Sequence, residues 1–204
     1  MTDLKTDEEK AEELKQWWRD NGTSVLAGVA LAIAATFAWQ QWKSYQIDQA
    51  KTASGLLAQA NSDSPNKAAA IETLIKDYSS TPYAAFAALS KAKEAESKKD
   101  TKSSIEALRI AANSKQTNVA RIAKLRLIRS LIADGQLDEA NTLLNEEALP
   151  SAYTSLQEEL KGDLYLAKKE IDKARQAYDR AILSAGQDPI EYLKMKRNNL
   201  GEGA

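Results

Sequence analysis

The side chains that could carry out acid–base chemistry are two pairs of adjacent glutamates, Glu146-Glu147 and Glu158-Glu159. Two facing carboxylates could hydrolyse a glycosidic bond, but adjacent residues of a helix point about 100° apart and do not face each other. The 204 residues include no histidine and no cysteine, which excludes Ser-His and Cys-His nucleophiles, disulfides and zinc sites built on imidazole or thiolate. We therefore predict no catalytic site, cofactor or metal, and a carboxylate hydrolase remains the alternative.

The charge balance gives no basic surface for nucleic acid. With Lys+Arg 28 and Asp+Glu 29, the formal net charge is -1. A nucleic-acid-binding domain would instead concentrate basic residues on one face. The charges predict a mixed, solvated surface, and nothing in the sequence indicates a small-molecule substrate.

The longest uncharged segment, residues 21–42, has the length of a membrane span. At about 1.5 Å per residue, these residues cover roughly 33 Å, and a hydrocarbon core is about 30 Å thick. Tryptophans flank the segment on both sides, which is typical of residues at the headgroup level. They are Trp17, Trp18, Trp39 and Trp42. We predict a cytoplasmic segment (1–22), a transmembrane helix (23–42) and a domain (43–204).

The alternatives to a transmembrane anchor are a buried core helix and a cleaved signal peptide. A buried core helix would not need to be uncharged on all its faces, and a signal peptide would not have so long and acidic a leader. Four basic residues precede the span and two follow it. This difference favours a cytoplasmic N-terminus, which places the domain in the periplasm. The basic residues are Lys5, Lys10, Lys15 and Arg19 before the span, and Lys43 and Lys51 after it.

Two local patterns refine the anchor. Gly28, Ala32 and Thr36 form a stripe of small residues that would let another helix approach closely. A capping box, Thr6 to Glu9, predicts a short interfacial helix that precedes the span and breaks at Asn21-Gly22.

The rest of the sequence predicts an all-α domain of repeated helix pairs. It is rich in strong helix formers, and valine occurs only three times in the chain. Ala140 and Ala174 lie 34 residues apart, and each is followed four residues later by a large side chain, Leu144 or Tyr178. Small residues at Gly162 and Ala174 have the spacing of a tetratricopeptide repeat. We predict pairs at about 51–82, 83–116, 119–150 and 153–187, with a capping helix at 189–199; a plain helical bundle is the alternative.

Several motifs in the same order make the whole chain similar to the YfgM family, ancillary subunits of the bacterial SecYEG translocon. They are Trp17-Trp18 with Asn21-Gly22, Trp39 and Trp42 after the span, a polar helix at 44–54, the segment 83–89 and the segment 195–200. The resemblance implies an inner-membrane protein with a periplasmic tetratricopeptide-like domain. It also implies two partners, SecYEG and a membrane-anchored chaperone of the PpiD type.

The function predicted from these features is protein binding. Stacked helix pairs form a concave surface that could hold a chaperone or an unfolded secretory chain as it leaves the channel. If the repeat register is correct, six residues face that surface: Leu89, Lys93, Leu125, Arg129, Glu159 and Asp163. A structural scaffold of another envelope complex is the alternative within this class.

Overall fold

The computed structural model describes residues 6–62, 65–146, 149–186 and 188–201, and in these residues every regular element is a helix. Two predicted features, Lys5 and Glu147, lie outside them. The elements are α1 (Asp7–Ala60), α2 (Lys67–Asp77), α3 (Pro82–Ser97), α4 (Thr101–Ala112), α5 (Thr117–Ala133), α6 (Leu137–Asn145), a 3-10 turn (Ser151–Tyr153), α7 (Thr154–Ala167), α8 (Ile171–Ser184) and α9 (Glu191–Asn198). The all-α prediction is therefore confirmed. Contacts divide the chain into two compact units, Met1–Lys51 and Thr52–Ala204.

The first unit consists of one helix, and the predicted break at Asn21-Gly22 is wrong. The predicted capping box forms: the Thr6 amide donates to Glu9 Oε2 at 3.0 Å, and the Glu9 amide donates to Thr6 Oγ1 at 3.4 Å. From there α1 continues without interruption, because Asn21 Nδ2 donates to the Trp17 carbonyl at 3.0 Å instead of ending the helix. A Cβ on Gly22 would lie 3.3 Å from the Trp18 indole, so the glycine makes room for that ring.

The second unit is built from the predicted helix pairs. α3 packs on α4, α5 on α6 and α7 on α8, while α9 packs against α8. Residues 52–60 of α1 share an apolar cluster with α2 and α3. The capping helix begins at Glu191, two residues after Pro189. Alanine fills much of the core, which lets the helices approach closely. Its larger fully buried side chains are Leu74, Leu108, Ile128, Leu131, Leu160, Leu164 and Tyr178.

The same turn ends the first helix of three successive pairs. Lys99, Gly135 and Lys169 adopt left-handed backbone angles, with φ of 59°, 79° and 63°. In each turn the next residue's amide donates to the carbonyl five residues earlier at 2.9 Å, as in a Schellman motif. The turns lie 36 and 34 residues apart, so the repeat register continues through the second pair with two inserted residues.

Candidate functional site

The first helices of the last three pairs, α3, α5 and α7, lie side by side and form one face of the second unit. We call it the A-helix face. The six residues predicted to bind partners occupy two equivalent positions on these helices, with the 36- and 34-residue spacing of the turns. One position holds Leu89, Leu125 and Glu159, and the other holds Lys93, Arg129 and Asp163.

The six positions differ greatly in accessibility. Lys93 and Arg129 are exposed, while Leu89 and Asp163 are half-buried. Leu125 and Glu159 are only 4% and 8% exposed. Leu89 and Leu125 therefore contribute mainly to the core between the helices, and the two cations are the predicted residues that a partner could reach most directly.

Two of the predicted residues, Glu159 and Asp163, are brought together by a residue that was not among the predicted site residues. Lys196, on α9, places its Nζ 2.7 Å from Glu159 Oε1 and 2.7 Å from both carboxylate oxygens of Asp163. Tyr178 donates its hydroxyl to Asp163 Oδ1 at 2.7 Å. Arg129 Nη2 lies farther away, 3.6 Å from Glu159 Oε1. Lys196 is thus the main counterion of both acids.

Two sequence signals include Lys196: its place in the segment 195–200, and its distance of 33 residues from Asp163, which is close to one repeat. This spacing would place a lysine of the capping helix next to the acids of α7 if the repeat register extended beyond the last complete pair. Taken alone, a lysine in a terminal helix is typical of a solvated surface.

The environment fixes the protonation of this cluster. Burial alone would lower the pKa of Lys196, but hydrogen bonds to Asp163 and Glu159 raise it above its ordinary value. Burial, reinforced by the hydrogen bond to Asp163, also raises the pKa of Tyr178 well above its ordinary range. Both groups therefore stay protonated near pH 7, which suits a structural role.

The adjacent acids Glu158 and Glu159 do not form a facing pair. Glu158 accepts hydrogen bonds from Lys161 Nζ and Arg180 Nε, both at 2.6 Å, whereas Glu159 contacts Lys196. Burial alone would raise the pKa of Glu158, but the bonds from Lys161 and Arg180 lower it overall. Each carboxylate of the pair is thus bound by its own cations, an arrangement that favours structure over acid–base chemistry.

An open pocket of about 210 Å³ lies on the A-helix face between α5 and α7. Its apolar wall comes from both helices and from the 3-10 turn, and two guanidinium groups stand beside it. The lining residues are Ile122, Leu125, Arg126, Arg129, Tyr153 and Leu156. Such a pocket can accept an apolar side chain together with a neighbouring anionic group.

The predicted anchor residues lie on the first unit's helix, whose apolar side chains are exposed. The helix is long and apolar enough to cross a membrane. All four tryptophans at its predicted ends are at least half exposed, and the rings of Trp39 and Trp42 lie 5.3 Å apart. On the small-residue stripe, Thr36 Oγ1 donates to the Ala32 carbonyl at 2.7 Å, and a Cβ on Gly28 would meet nothing within 4 Å. The stripe is therefore open to another helix.

Comparisons with known proteins agree with this architecture. Residues 15–202 match the family described as a Tetratricopeptide repeat-like domain. The Ancillary SecYEG translocon subunit of Haemophilus influenzae is 32% identical over 199 residues, which cover 95% of this chain and 97% of that protein. The proteins of the same name from Aggregatibacter actinomycetemcomitans and Escherichia coli are 31% and 25% identical, over 95% and 98% of this chain and 97% and 99% of theirs. No solved structure matches the chain.

The matches extend over both units of the chain. The family match begins at residue 15, within α1, and includes the whole uncharged segment as well as the helix pairs. The apolar helix and the named relatives together fit an inner-membrane protein. The tetratricopeptide-like domain indicates protein interaction as its role. The chain belongs to the YfgM family.

Proposed function

We propose that this chain is an ancillary subunit of the Sec translocon, held in the bacterial inner membrane by α1, and that its second unit binds other proteins. The observation that carries the proposal is the match to three proteins named Ancillary SecYEG translocon subunit over at least 95% of the chain. Because the match includes the anchor as well as the repeats, it supports a role at the membrane and not merely a shared fold.

The second proposal concerns the orientation of the chain in the membrane. The basic bias of four to two around the span supports a cytoplasmic N-terminus and a periplasmic second unit. Alkaline phosphatase fused after residue 204 should then be active, and a fluorescent protein that folds only in the cytoplasm should be dark. The opposite pair of results would show that the second unit is cytoplasmic.

The proposed partners are SecYEG, a PpiD-type membrane-anchored chaperone and secretory chains that emerge from the channel. An anchor beside the channel exit would raise the effective concentration of the A-helix face for each of them. Lys93 and Arg129 are exposed on that face, whereas Glu159 and Asp163 contribute by fixing α9 in place. We therefore assign direct partner contacts to the cations and the neighbouring apolar residues.

The contact with the translocon is proposed to involve the small-residue stripe of α1. A tagged full chain, crosslinked in membranes and then solubilised in detergent, should co-purify SecYEG. The substitutions Gly28→Leu and Ala32→Leu together should reduce the recovered SecYEG several-fold, because larger side chains would keep a neighbouring helix at a distance. Ala30→Leu with Ala34→Leu is the matched control, since these alanines lie on the opposite face of the helix and should have little effect.

Two outcomes would count against this assignment. If SecYEG is absent from the purified wild-type chain and another envelope complex is recovered, the scaffold alternative replaces the translocon role. If both double variants recover SecYEG equally well, the translocon contact does not use the small-residue stripe.

A further inference from the structure

A row of accessible apolar side chains runs across the A-helix face. Phe86 on α3, Ile122 on α5 and Leu156 on α7 occupy equivalent positions, 36 and 34 residues apart. Phe86 and Ile122 are 42% and 41% exposed, and Leu156 lines the pocket between α5 and α7. Apolar side chains that remain accessible at the same position of three successive repeats indicate a surface for an apolar partner.

A second row on the same face is basic. Lys93 and Arg126 are exposed, and neither has a hydrogen-bond or ion-pair partner among residues 6–62, 65–146, 149–186 and 188–201. Arg129 has one distant partner, Glu159 at 3.6 Å. Since Lys196 binds that glutamate at 2.7 Å, Arg129 is available to another anion. The face therefore offers cations to a partner, while its two acids are bound by Lys196.

The distance between the two rows limits the shape of the partner. Lys93 follows Phe86 by seven residues, and Arg129 follows Ile122 by seven. Seven residues of a helix extend about 10 Å, which is close to the diameter of an α-helix with its side chains. A single helix lying across α3, α5 and α7 could thus contact the apolar row with one side and the basic row with the other.

We propose that the A-helix face binds an acidic amphipathic helix of a partner protein, with its apolar side chains on the row Phe86, Ile122 and Leu156 and its carboxylates against Lys93, Arg126 and Arg129. This inference rests on the proposed protein-binding function and adds the chemistry of the bound segment. Charge complementarity selects the acidic helix, because a basic one would meet Lys93 and Arg126, which have no counterion among the described residues.

The test uses the full chain in nanodiscs of zwitterionic lipid and three fluorescent peptides of about five helical turns. The first carries leucine on one face and glutamate on the other, the second replaces glutamate with lysine, and the third replaces leucine with serine. We expect the first peptide to bind about tenfold more tightly than either of the others, as measured by fluorescence anisotropy.

Charge reversal on the face identifies the residues responsible. Lys93→Glu with Arg126→Glu should invert the preference, so that the lysine peptide binds more tightly than the glutamate peptide. Lys102→Glu with Lys115→Glu changes the net charge equally at exposed positions outside the A-helix face, and the glutamate peptide should still bind most tightly. Circular dichroism of each variant would show that the helices remain folded.

Equal binding of the glutamate and lysine peptides would overturn the inference, as would an unchanged preference after reversal of Lys93 and Arg126. Failure of this inference can be distinguished from failure of the proposed translocon function. If SecYEG co-purifies with the wild-type chain but the peptides show no charge preference, only the inference is wrong. If the preference is present but SecYEG does not co-purify, the translocon role is wrong.

Discussion

Gly162→Ala is expected to destabilise the second unit by about 3 kcal/mol, near the upper end of the cost of overpacking. A Cβ at this position would lie 2.4 Å from Tyr178 Cε1 and 2.5 Å from its Cδ1, closer than nonbonded carbon atoms approach. The ring cannot move aside easily, because it is fully buried and its hydroxyl donates to Asp163 at 2.7 Å. Urea unfolding of the full chain in detergent, followed by circular dichroism, would measure the loss.

Gly55→Ala provides the matched control. Gly55 is exposed near the end of α1, within the second unit, and a Cβ there would meet nothing within 4 Å. Alanine should therefore raise the free energy of unfolding by about 0.5–1 kcal/mol through its higher helix propensity. The double variant Gly162→Ala, Tyr178→Leu should recover part of the lost stability, because the smaller leucine leaves room for the new Cβ. Leu144, which is buried at the position equivalent to Tyr178 in the preceding pair, shows that leucine is accepted there. Equal effects of the two alanine substitutions would contradict this packing.

The repeat architecture could be predicted because it depends on local spacing. Two antiparallel helices approach closely only where small side chains face each other, and this requirement places Ala140 and Ala174 one repeat apart. Both are fully buried, and Leu144 and Tyr178 pack four residues later as the spacing predicted. The wrong break at Asn21-Gly22 has an equally local cause: Asn21 satisfies its side chain within the helix, an option that the dipeptide alone does not reveal.

The position of the A-helix face was predictable from the sequence, but its chemistry was not. The register placed Lys93, Arg129 and Asp163 at equivalent sites, yet their availability depends on contacts far away in sequence. Asp163 and Glu159 are held by Lys196, which lies 33 and 37 residues later on a helix outside the repeats. The 33-residue spacing alone does not specify how a terminal helix packs, so the pairing of these acids with Lys196 became apparent only in three dimensions.

The apolar row was missed for a different reason. Ile122 and Leu125 are both apolar residues of α5, and composition gives them the same expected burial. They lie three residues apart on the helix, so a small rotation of α5 decides which one reaches solvent. In the structure Leu125 is 4% exposed and Ile122 41%. The outward-facing side of a first helix therefore depends on how it packs against its neighbours.

Lys196→Met is expected to destabilise the second unit by about 2–3 kcal/mol. It would leave Glu159 and Asp163 as neighbouring carboxylates at a partly buried site without their main counterion. Loss of one partner of a fully buried salt bridge costs about 3–5 kcal/mol. We expect a smaller loss here because the side chains of Glu159 and Asp163 remain 11% and 19% exposed. Lys194→Met, at an exposed position of the same helix, should change stability by no more than about 0.5 kcal/mol.

The pH dependence separates this charge effect from a simple loss of packing. Although burial alone would lower the pKa of Lys196, its bonds to Asp163 and Glu159 raise it above 10.5, so the folded chain holds this proton more tightly than the unfolded chain. The lysine's contribution is then fully present below about pH 10 and is lost as the pH rises through the folded pKa. The raised pKa of Tyr178 also reduces stability at alkaline pH, but both chains contain that residue, and its effect largely cancels in the comparison. The difference in unfolding free energy between wild type and Lys196→Met should therefore be constant from about pH 7 to pH 10 and narrow above that range. A difference that persists unchanged above the folded pKa would show that Lys196 acts through its methylene chain and not through its charge.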